Sequence, residues 1–137
     1  MKNLLLLLLV IPFLSVSAQT SEEKLIGKWA GQDKNEIGYF IFQENGFAAF
    51  ELQGQVFGGE EFEFRGMKAK MTYKIIDNAN PIQLDLVVKL LESDEENKLF
   101  CILEFIDDDT IKLALSFNET RPTEFNGINS IVFKREK

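Results

Sequence analysis

Residues 68–91 read KAKMTYKIIDNANPIQLDLVVKLL, and their period decides the fold. Lys68, Lys70, Thr72 and Lys74 alternate with Ala69, Met71, Tyr73 and Ile75. Successive side chains of a strand point to opposite faces, so this is a strand with one wet and one oily face. Asp77–Asn78–Ala79–Asn80–Pro81 is a cluster of turn formers. From Ile82 the alternation resumes, with Ile82, Leu84, Leu86, Val88 and Leu90 sharing a face. Two half-buried strands joined by a short turn are antiparallel neighbours.

The same pattern extends in both directions. Downstream, residues 99–106 are nearly all apolar. The odd set Leu99, Cys101, Leu103 and Phe105 is uniformly apolar and is expected inside, with Glu104 facing out beside Phe100 and Ile102. After the turn Asp107–Asp108–Asp109, Ile111, Leu113, Leu115 and Phe117 share a face, and Ile131 and Phe133 do so in a last strand over 128–135. Upstream, strands are expected over 29–32, 37–43, 47–53 and 61–65. Asn45–Gly46 predicts a two-residue hairpin turn with positive φ at both positions. Gly54, Gly58–Gly59 and Gly66 read as interruptions. Ser21, followed by two glutamates, reads as the cap of one helical turn before Leu25. No helical period of ten residues or more intervenes. The expectation is an all-β domain: a single antiparallel up-and-down barrel of eight to ten strands with a short N-terminal helical turn. A barrel leaves no open sheet edge, which favours it over the alternative sandwich.

The chain starts with Lys2 and the apolar run Leu4–Leu14, followed by Ser15–Val16–Ser17–Ala18. Small residues at 16 and 18 predict a signal peptide over 1–18 cleaved after Ala18, and a secreted or periplasmic product. The run is shorter than the roughly 20 residues that span a bilayer, so no membrane span is expected in the mature form. Residues 19–137 then form one domain, long enough to bury a core without staples. The formal net charge of −7 disfavours nucleic acid as a partner. Cys101 is the single cysteine, so no internal disulfide is available, and its apolar surroundings mark it as a buried hydrophobe.

Gly27–Lys28–Trp29 follows the short helix-prone stretch and opens the first strand. It resembles the Gly-x-Trp signature of lipocalins. Residues 71–77, 81–85, 109–113, 121–125 and 132–135 resemble, in order and spacing, segments of small bacterial secreted lipocalin-like domains. The resemblance implies a calycin-type barrel and no single activity. It also implies that Trp29 packs across the closed end beneath an arginine, with Arg135 preferred over Arg121 by position. The brief connection over Gly31–Glu36 departs from the long first loop of roomy lipocalins.

The catalytic inventory is thin. There is no histidine, so the usual neutral-pH base is absent and a Ser–His or Cys–His pair is impossible. No enzymatic role, cofactor or metal is expected. The acidic runs at 94–96 and 107–109 read as solvated turns rather than calcium loops. Glu61 and Glu63 share a strand face and read as solvent-facing rather than as a glycosidase pair. Asn118–Glu119–Thr120 is a glycosylation sequon, relevant only in a eukaryotic secretory path. The leading expectation is a binding module for a small apolar or amphipathic ligand. Its lining would come from Phe62, Phe64, Met71, Tyr73, Leu84, Leu86, Val88, Leu113 and Leu115, with Tyr73 fixing a polar end. The alternative is a structural or protein-interaction domain with a side-chain-filled barrel, docking through an outer apolar set around Phe100, Ile102 and Ile106.

Overall fold

The computed structural model describes residues 19–32, 37–116 and 119–137. The signal segment expected over 1–18, Phe117, and Asn118 of the sequon lie outside them. A five-residue helix, α1 (Ser21–Leu25), precedes ten strands. These are β1 (Gly27–Gly31), β2 (Ile37–Phe42), β3 (Ala48–Leu52), β4 (Gln55–Gly58), β5 (Phe62–Phe64), β6 (Met67–Ile76), β7 (Ile82–Leu90), β8 (Glu96–Asp107), β9 (Thr110–Ser116) and β10 (Ser130–Arg135). The cap of α1 is Thr20 rather than Ser21, its hydroxyl accepting from the Glu23 amide at 3.2 Å. β4 fills the stretch between Gly54 and Gly59, where the glycines predict an interruption.

All neighbours are antiparallel, in the order β4-β3-β2-β1-β10-β9-β8-β7-β6-β5. This is an up-and-down meander in which β10 returns to pair with β1, Trp29 standing opposite Arg135. The two ends of the sheet then meet. Phe47 bridges to Thr72, the Tyr73 amide donates to the Gly46 carbonyl at 3.1 Å, and the Met71 amide donates to the Gly59 carbonyl at 2.9 Å. The result is one nearly closed barrel, not two facing sheets. Gly58 makes the closure possible. Its φ is +112°, and a Cβ there would lie 2.4 Å from the Ala48 carbonyl oxygen, a contact that only glycine avoids.

Strand parity fills the interior as the alternation predicts. Leu84 and Leu86 of β7, Cys101 and Leu103 of β8, and Ile111 and Leu113 of β9 are fully or almost fully buried. β2 and β10 add Phe40 and Phe133, which meet edge to face with ring centroids 5.3 Å apart, a preferred aromatic geometry.

One part of the outer wall is also covered. Asp85, Ile102 and Ala114 have outward parity yet are buried. The chain from Glu119 to Asn129 crosses this wall. The Arg121 guanidinium pairs with the Asp85 carboxylate, donates to the Cys101 carbonyl at 2.8 Å, and lies 4.9 Å from the Phe100 ring centroid. The expected exposed patch is therefore corrected: Ile102 is 1 % exposed and Phe100 lies beneath Arg121, leaving only Ile106 open to solvent. Glu104 faces solvent.

Candidate ligand cleft

The two ends of the barrel differ. At one end α1 folds across the opening and buries Leu25 completely. The Trp29 indole N–H donates to the Leu25 carbonyl at 2.8 Å. Arg135 lies over Trp29, 4.2 Å from the ring centroid. Its guanidinium also donates to the carbonyls of Ile26 (2.8 Å) and Lys24 (2.6 Å), carbonyls at the end of α1 that no helical amide can satisfy. Gly27 permits this approach: its φ is +134°, and a Cβ there would come within 2.9 Å of an Arg135 nitrogen. Gly27, Trp29 and Arg135 thus form one plug. Arg121 belongs to the outer-wall strap instead.

Tyr73 belongs to the plugged half as well. Its hydroxyl donates to the Gln43 carbonyl at 2.9 Å, and its ring meets Phe42 edge to face. Burial, reinforced by the Glu22 carboxylate, pushes its pKa up. Leu84, Leu86 and Leu113 are completely buried, and Leu115 is nearly so. These four and Tyr73 are core, and none of them borders the cleft at the opposite end. The Tyr73 hydroxyl, expected to fix a ligand's polar end, is directed at the Gln43 carbonyl.

The opposite end is open. It holds a cleft of about 690 Å³, a size that suits a small ligand. Of the nine expected lining residues, Phe62, Phe64, Met71 and Val88 border it. Phe50 and Phe57 join them, stacked across the β3–β4 hairpin with centroids 5.6 Å apart. Leu99 and Phe100 complete the apolar wall, and Arg65 and Asn97 are among its polar lining residues. Phe50 was legible, since it shares parity with Ala48 and Leu52. Phe57 was not, because the surrounding glycines hid β4.

The acidic run at 107–109 forms the turn between β8 and β9. The Asp107 carboxylate accepts from the Asp109 amide at 2.8 Å, and that bond, with others from Thr110, pulls its pKa down. Glu61 pairs with Lys68 on the surface at 3.3 Å. Among the described residues no group of three or more His, Cys, Asp or Glu side chains is placed to hold a metal ion, and no helix is long and apolar enough to cross a membrane. Compared with known protein families, curated proteins and solved structures, the chain gives no significant match.

Proposed function

We propose that the chain is an exported, lipocalin-like, non-catalytic binding module that takes a small amphipathic ligand, apolar part first, into the open end of its barrel. One observation carries the reading: one end is plugged by α1, Trp29 and Arg135, while the other keeps a cleft of about 690 Å³ lined by five phenylalanines. A chain with material to fill its barrel throughout has no packing reason to leave one end hollow. The absence of histidine supports a role without acid–base chemistry, and the 1–18 segment supports export. Docking through the outer wall draws less support, because Arg121 and its segment already cover Phe100 and Ile102.

The test is titration of the purified domain with a fluorescent fatty-acid analogue. Saturable one-to-one binding is expected. A Phe57→Asp/Phe62→Asp variant, altered only at partly exposed positions, should fold and lose it. A non-saturating signal, or equal binding by the variant, would end the proposal.

A further inference from the structure

We propose that Arg65 selects the ligand's head, so that the cleft takes an apolar body ending in a single monoanionic group such as a carboxylate. This rests on the reading of the open end as a binding cup. Arg65 occupies the β5–β6 turn directly above the aromatic wall, with its guanidinium 5.0 Å from the centroid of Phe64, one of the phenylalanines that border the cleft. No carboxylate of the described residues lies within ion-pair distance of it. The other two arginines whose guanidinium contacts are described, Arg121 and Arg135, are both consumed by internal partners. Arg65 is thus a cation stacked on Phe64, in no ion pair among the described residues, on the lining of an oily cleft. A guanidinium fixed in this way presents parallel N–H groups that match a carboxylate bidentately.

The remaining charges at the mouth limit the head to one negative charge. Lys98 and Glu96 line the cleft too, but they share outward parity with their ladder partners Val87 and Lys89, so they flank the wall rather than face the cup. Glu119 stands at the rim beyond β9. Arg65, the cation that stacks on the aromatic wall, shares the lining with that carboxylate, an arrangement that suits a monoanion. A phosphate monoester, with −1.5 to −2 charges near neutral pH, would leave charge unmatched. The wall is mostly apolar, with Asn97 as the one inward polar residue of β8 in the lining.

The experiment compares dodecanoate, dodecanol and dodecyl phosphate as competitors of a fluorescent fatty-acid probe at pH 8, below their micellar concentrations, on the wild type and on Arg65→Asn and Arg65→Lys. Arg65 has φ +51°, a conformation asparagine adopts more readily than arginine, so Arg65→Asn should keep the turn and leave the melting temperature equal or higher. Dodecanoate should bind the wild type about tenfold tighter than dodecanol, a factor of the size that one charge-assisted contact supplies. Arg65→Asn should erase that difference while leaving dodecanol unchanged, and Arg65→Lys should keep part of it. Equal binding of acid and alcohol by the wild type, or a preference that survives Arg65→Asn, overturns the assignment of Arg65. Tighter binding of dodecyl phosphate than of dodecanoate overturns the monoanion. Binding of none of the three removes the cup reading itself, and this inference with it.

Discussion

Arg121 and Arg135 show how much a residue's role depends on what it meets. Arg135 satisfies the carbonyls that end α1 and lies on Trp29. Arg121 neutralises Asp85, the one buried charged side chain among the described residues. Removing Arg121 would leave that carboxylate enclosed without a partner. Arg121→Ala is therefore expected to cost about 2–3 kcal/mol in urea denaturation, somewhat below a fully buried pair because a fifth of the arginine side chain is still exposed. Arg121→Met combined with Asp85→Leu should recover most of it, since neither charge is then stranded; a double variant as unstable as Arg121→Ala would contradict this account. Cys101 carries a second prediction. Burial pushes its thiol from an ordinary value near 9 up to about 12, with the Arg121 charge opposing and Asp85 adding to the rise. The unfolded chain gives up this proton at lower pH than the fold does. The neutral thiol's contribution is thus complete below about pH 9 and is lost as pH rises toward 12. Unfolding midpoints should fall from pH 9 to 11, and fall less steeply in Cys101→Ala. The raised Tyr73 hydroxyl acts in the same direction. A thiol reagent at pH 8 should label Cys101 only after denaturant is added.

Turns decide where the strands end, and here the local signal and the outcome diverge. Asn45–Gly46 carries the strongest hairpin signal, yet of the two only Gly46 has positive φ, at +91°. The Gly46 amide donates to the Gln43 carbonyl and the Gln43 amide to the Phe47 carbonyl, giving a three-residue loop with a glycine bulge. Gln53–Gly54 and Arg65–Gly66, which lack that signal, take positive φ at both positions: +51° and +81°, +51° and +78°. Neighbouring strands hold Gln and Arg in a conformation they rarely choose alone. Gly58 is the sharpest test at this scale. Gly58→Ala places a methyl against the Ala48 backbone at a φ that L residues avoid, so the seam must open. A loss of more than about 2 kcal/mol is expected. Hydrogen exchange should then speed up at Met71 and Tyr73, whose amides close the seam. Unchanged protection there would mean that Gly58 does not govern closure.

For the whole molecule, the plugged and open ends are built from different residues and should behave separately. The single tryptophan, Trp29, is completely buried at the plug and does not border the cleft. Its fluorescence should be blue-shifted in the native state, shift red in one cooperative transition on unfolding, and stay constant when ligand fills the cup. A ligand-induced change in Trp29 emission in the native state would show that the two ends are coupled. Loss of the plug should act globally: Arg135→Ala exposes the α1 carbonyls and uncovers Trp29, and a drop of about 2 kcal/mol is expected with the cup residues untouched.

The sequence by itself determined most of the strands, β4 excepted, and their inward faces, because a period of two is written directly in residues 68–91 and 99–115; only under the Arg121 segment are outward positions such as Ile102 buried as well. It also determined the lack of histidine, whereas the packing of Trp29 under Arg135 was only implied by the resemblance to lipocalins. Which glycines join strands and which break them, which end of the barrel stays hollow, and the pairing of Arg121 with Asp85 were decided by the tertiary structure. Those features depend on backbones and charges that meet across tens of residues, and periodicity within one strand carries no record of what lies on the far side of the wall.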